Sequence, residues 1–126
     1  MTATLPIPIV DADSHVMEPP DLWTSRMSTK KWGGMIPRVA RHPKSGVDTW
    51  YIGDRRASAV AKFAHGGWKE YPPSFPPTVP EVDPAAYDPV ARLQRMDEYG
   101  ITSQLLYPNL LGFSSIVFLD LEPAWR

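Results

Sequence analysis

The chain has 126 residues, 43% of them apolar and 21% charged, a composition suited to one folded domain. A formal net charge of -1 gives no basic field for nucleic acid or an anionic membrane, and the lack of cysteine excludes disulfides and thiolate zinc sites. No uninterrupted apolar run is long enough to cross a bilayer, so a soluble cytoplasmic protein is expected, and any metal in it must be held by His, Asp or Glu.

Residues 1 to 6 read as a frayed start. Ile7 to Asp13 reads as the first strand, apolar on both faces at its beginning and polar on one face at its end. That pattern suits a parallel strand buried on both sides whose C-terminal tip opens into a pocket. Residues two apart on a strand project to the same side, which predicts Asp11, Asp13 and His15 on one face. There a carboxylate and an imidazole can converge on one ion. The same letters also suit a strand end running into a solvated acidic turn.

Glu18-Pro19-Pro20-Asp21-Leu22-Trp23 predicts a short helix of one or two turns, with prolines in its opening turn and Leu22, Trp23 and Met27 on an apolar side. Lys30 to Lys44 has Gly33-Gly34 and little periodicity, and reads as a loop. Asp48 to Ile52, the turn Gly53-Asp54, and Arg55 to Ser58 read as a β-hairpin whose glycine takes positive φ. His42 and His65 lack a partner at ligand spacing and read as solvated loop histidines. The five tryptophans read as core or interface anchors.

The 15 prolines are unevenly spread and crowd residues 66 to 88, where missing amide donors and fixed φ forbid regular helix or central strand. An extended connection is expected there, covering other parts of the fold or a neighbouring subunit. Asp88-Pro89 predicts a helix start and Gly100 a left-handed stop, with Val90, Leu93, Met96 and Tyr99 forming its apolar face and Asp97 and Glu98 outward. Ile101 to Tyr107 reads as a strand closed by Pro108-Asn109. Two strands joined by a crossover helix lie parallel. The end carrying Asp13 and His15 then sits beside the end carrying Tyr107 and Asn109, where α/β folds bind ligands. Phe113 to Leu121 is apolar and fits either a strand or a buried helix. Glu122-Pro123 opens another helix with too few residues after it, which predicts that the chain is a piece of something longer.

Three stretches together resemble the metal-dependent amidohydrolase superfamily, specifically the amidohydrolase-related branch that includes the aminocarboxymuconate-semialdehyde decarboxylases. They are Val10-Asp11-Ala12-Asp13-Ser14-His15 with Glu18-Pro19-Pro20-Asp21-Leu22-Trp23, the hairpin from Trp50 to Arg56, and Asp88 to Ile101 followed by Leu106-Tyr107-Pro108. The resemblance implies an α/β fold, the N-terminal part of a (β/α)8 TIM barrel, with residues 1 to 126 an incomplete barrel domain. The hairpin and the proline-rich segment would be insertions between the first strand and the first barrel helix. Such barrels take about 250 residues.

The resemblance further implies a divalent metal ion, zinc first and manganese second, with Asp13 and His15 as ligands. Asp13 stands where the family's first-strand signature usually has histidine, and a carboxylate serves as a ligand there. The family's remaining ligands would lie beyond Arg126. Asp11 would either bond to a ligand or serve the strand. Glu18, Asn109 and Tyr107 are candidates to reach a small-molecule substrate, set against a solvated role for Glu18 and a core role for Tyr107. The complete enzyme would hydrolyse an amide, ester or lactone, or decarboxylate a small carboxylic acid, in an assembly that could be a homo-oligomer, and residues 1 to 126 alone are expected to be inactive. The contrasting reading is a small noncatalytic domain that binds a partner through its proline-rich arm.

Overall fold

Asp88 begins the most regular part of the chain, because its side chain accepts the amide of Val90 at 2.8 Å and the next residue, Pro89, has no amide to leave unpaired. The computed structural model describes residues 7–110. Helix α2 (Pro89–Tyr99) ends at Gly100, which sits at φ 69° and ψ 24°, a left-handed conformation that favours glycine. The chain turns there directly into strand β5 (Ile101–Pro108), which lies parallel to β1 (Ile9–Val16). The predicted juxtaposition is present, with His15 opposite Tyr107 and Val16 opposite Pro108.

Between β1 and α2 runs an excursion with its own sheet, of order β2-β3-β4, formed by β2 (Arg38–Arg41), β3 (Asp48–Ile52) and β4 (Arg55–Ala59), all antiparallel. The architecture is thus mixed α/β, a parallel strand pair and an antiparallel sheet. The hairpin from β3 to β4 turns as predicted on Gly53 at φ 59°. Strand β2 replaces part of the predicted loop from Lys30 to Lys44. Arg38-Val39-Ala40-Arg41 has little strand character alone and owes its conformation to pairing with β3. A four-residue helix α1 (Thr29–Trp32) occupies another part of that stretch. Where a helix was expected from Pro19, the chain makes successive turns, with Ser25 N–H on Asp21 O and Met27 N–H on Trp23 O, but no continuous helix.

The proline-rich connection holds only short 3₁₀ turns, Val79–Glu81 and Pro84–Ala86. It is bound down by backbone bonds: Asp48 N–H donates to Pro77 O and Met17 N–H to Ala86 O, both at 2.8 Å. The hydrophobic core lies here rather than under the parallel pair. Trp50 is fully buried, meets Trp23 edge-on at 5.0 Å, and packs in a cluster with Met17, Val60, Ala61, Ala64, Val82 and Leu110.

Two expectations are corrected. Strand β1 starts and ends later than Ile7 to Asp13, and it is not buried on both faces, since Val10 is 64% exposed. Among the described residues β1 has a hydrogen-bonded neighbour, β5, on one edge only. Nor does α2 bury its predicted apolar face: Val90 and Leu93 are 63% and 61% exposed, and Tyr99 is exposed too. The half-buried residues are Ala91, Arg92, Arg95 and Met96. Steps of three residues drift roughly 60° per step around a helix of 3.6 residues per turn, so Val90 and Met96 do not share a side. Asp97 and Glu98 face outward as expected. The frayed start, the apolar stretch from Phe113 to Leu121 and the helix opening at Glu122 lie outside the described residues. Among those described, no helix is long and apolar enough to cross a membrane.

This distribution fixes where truncation should matter. Trp50→Ala should cost about 3–5 kcal/mol in urea unfolding. Leu93→Ala, on the exposed side of α2, should stay within about 0.5 kcal/mol of the parent.

Candidate functional site

Strand β1 does not alternate evenly through Asp11-Ala12-Asp13-Ser14. Asp11 pairs with Gln104 and Ser14 with Leu106, so three steps along β1 match two along β5, and a bulge falls between them. The bulge turns Asp11 and Ser14 to one common side, which positions three apart in a regular strand cannot share. Ser14 Oγ donates to Asp11 Oδ2 at 2.5 Å, and Gln104 Nε2 donates to Asp11 Oδ2 at 3.2 Å and to Ser14 Oγ at 3.1 Å. Asp11 Oδ1 accepts the Asp13 amide at 3.1 Å.

Asp13 and His15 remain together. Asp13 Oδ1 and His15 Nε2 are 3.9 Å apart, and both residues line a cleft of about 410 Å³ at the C-terminal end of β1. The Asp13 side chain is 77% exposed and that of His15 16%. The imidazole stacks on Phe63, with ring centroids 4.4 Å apart and planes 15° apart, and lies 6.0 Å from the Tyr107 ring. Tyr107 therefore stands beside His15, half-buried.

The other sequence candidates divide. Asn109 lines the cleft and is 2% exposed. Its side-chain amide donates to Val60 O, and among the described residues its Oδ1 accepts no hydrogen bond. Glu18 is buried rather than solvated: its carboxylate accepts the amides of Asn109 at 3.2 Å and of Leu110 at 3.0 Å, which ties the end of β5 to the segment after β1. Asp11 is engaged with Ser14, Gln104 and its own strand. His65 is exposed, as expected for a solvated histidine, and also lines the same cleft and holds Ser74 O through Nδ1 at 2.6 Å, while His42 contacts Ser45 in a local turn.

Sequence reasoning missed Arg92. From α2 it donates to His15 O at 2.7 Å, to Ala86 O at 3.3 Å and to Gln104 Oε1 at 3.2 Å. Burial lowers the pKa of its guanidinium, and the negative charge of Asp11 opposes that shift. The only local signal was its position four residues after the helix cap, one turn in, which says nothing about a partner at residue 15.

The Asp11 carboxyl is held below its ordinary value of 3.8, first by the Ser14 hydroxyl and then by the Asp13 amide, with Gln104 and Arg92 adding to the effect. Metal fit can be judged from the donors. Asp13 and His15 offer oxygen and imidazole nitrogen, the chemistry zinc accepts, at a separation somewhat wider than the roughly 3.3 Å expected for two donors on a tetrahedral ion with bonds near 2 Å. They fit as a donor pair. Among the described residues no group of three His, Cys, Asp or Glu side chains could hold a metal.

No family model matches the chain, and comparison with curated proteins finds no match either.

Two tests follow from these contacts. A carboxyl with a lowered folded-state pKa contributes stability that is whole above the unfolded value, near pH 4, and is lost as pH falls through the folded value. Ser14→Ala removes the leading cause, so the Asp11 pKa should rise toward 3.8 by carboxyl ¹³C NMR titration, and the share of the acid loss of stability that Asp11 contributes should shrink, with stability near pH 7 lowered correspondingly. Glu18→Ala leaves the Asn109 and Leu110 amides without their acceptor and should cost about 1–3 kcal/mol in denaturant unfolding.

Proposed function

We propose that the chain is the opening part of a (β/α)8 barrel in a metal-dependent enzyme of the amidohydrolase-related kind, hydrolysing an amide, ester or lactone or decarboxylating a small carboxylic acid. The carrying observation is that Asp13 and His15 converge to 3.9 Å at the C-terminal end of a parallel strand, on a cleft of small-molecule size. In this reading they hold a divalent ion, zinc or manganese, and further ligands come from outside the described residues. When bound, such an ion supplies a Lewis acid that activates water or holds a substrate carboxylate.

The chain's own residues supply binding and orientation. Phe63 limits rotation of the His15 ring by stacking on it. Asn109 lines the wall of the cleft, and His65 adds a polar group to the same wall. Exposed Val10, Val90, Leu93, Leu105 and Leu106 fit flanking β/α units that would cover them in a closed barrel.

The reading as a noncatalytic module with a proline-rich arm has less support. Pro76 and Val82 are buried and Phe75 packs against the core, so much of that arm is committed to the protein's own interior.

Elemental analysis tests the metal assignment. Asp13→Ala and His15→Ala should each lower the zinc or manganese bound per chain; unchanged stoichiometry in both variants rejects the pair as ligands.

A further inference from the structure

The bonds around the β1 bulge form one connected path from α2 through β5 to β1. Arg92 on α2 bonds Gln104 on β5. Gln104 bonds Asp11 and Ser14 on β1, and Arg92 also reaches past them to His15 O. The contacts therefore hold the backbone on both sides of Asp13: the Asp13 amide through Asp11 Oδ1, Ser14 through its hydroxyl, and His15 through its carbonyl. None of these bonds uses the side chain of Asp13 or His15.

The residue types suit the task. A bulge leaves an amide without its ladder partner, and a carboxylate two residues earlier can accept it in a local turn. The second carboxylate oxygen then takes both Ser14 and Gln104. Alanine at position 11 abolishes all three bonds. Asparagine keeps one acceptor oxygen for the Asp13 amide but sets its own amide against that of Gln104.

We propose that Asp11, Ser14, Gln104 and Arg92 are positioning residues, a side-chain network that fixes the β1 bulge and so presents Asp13 and His15 together to the cleft. The inference rests on reading that pair as metal donors, and it explains how an exposed carboxylate and a stacked imidazole keep one mutual geometry at a strand end. Such supporting contacts typically change metal affinity by about 10- to 100-fold when removed.

The test uses the full chain, titrated with Zn²⁺ alone, together with NMR of the zinc-free protein. Stacking on Phe63 shields the His15 ring protons, while the buried Trp50 indole reports on the core. Asp11→Ala should weaken zinc binding about tenfold or more and move the His15 ring protons downfield, with the Trp50 indole signal unmoved. Asp11→Asn should recover part of both, and Gln104→Ala should move both in the same direction by less. His15 shifts and zinc affinity that stay at parental values in Asp11→Ala and Gln104→Ala overturn the proposal. Should Asp11→Ala also displace the Trp50 signal, Gln104→Ala decides. Zinc affinity that is indifferent to Asp13→Ala and His15→Ala removes the metal reading, and the His15 ring shift then decides the network by itself.

Discussion

The Asp11 carboxylate accepts three hydrogen bonds within one distorted stretch of strand, from the Asp13 amide, the Ser14 hydroxyl and the Gln104 amide, and the shape of the strand end follows from them. A bulge leaves backbone donors that a regular ladder would have satisfied, and a nearby carboxylate can accept one of them. One carboxylate meets that need and draws β5 in through Gln104. The result is a strand end in which Asp11 and Ser14 knit the strand to its neighbour, while Asp13, Ser14 and His15 line the cleft.

Arg92 extends the same logic to the helix. A guanidinium on the sheet-facing side of α2 is costly to desolvate, and it is placed where three oxygens receive it, His15 O, Ala86 O and Gln104 Oε1. These contacts join α2, the end of the proline-rich connection and both parallel strands. Nearby, Arg95 pairs with Asp83 at 3.0 Å, fastening the helix again to that connection. Polar bonds therefore carry much of the attachment of α2, whose apolar Val90 and Leu93 face away from these partners.

The burial pattern divides the molecule in an unexpected way. The excursion between β1 and α2 supplies Trp50, Val60, Ala61, Ala64 and Val82 to the core, and the parallel unit contributes at its tips, through Met17 and Leu110. Glu18 makes the junction firm by accepting the Asn109 and Leu110 amides. The cleft lies at this junction, so its walls combine strand ends with Phe63 and His65 from the excursion. His15 is seated between aromatic rings of both parts, Phe63 and Tyr107.

Local chemistry in the sequence determined the elements that need no distant partner. Asp88-Pro89 and Gly100 bound α2 because capping and positive φ are properties of a few consecutive residues, and Gly53-Asp54 closes the hairpin for the same reason. The parallel neighbourhood of His15 and Tyr107 was also legible, since a strand, a helix and a strand in close succession have few ways to connect. Only the tertiary structure decided the rest. Strand β2 exists because β3 pairs with it, Glu18 is buried because two amides 91 and 92 residues away need an acceptor, and Asp11 leaves the face of Asp13 because Gln104 and Ser14 hold it in a bulge. Those outcomes depend on hydrogen bonds between residues remote in the chain, and neither periodicity nor spacing encodes which donor will meet which acceptor.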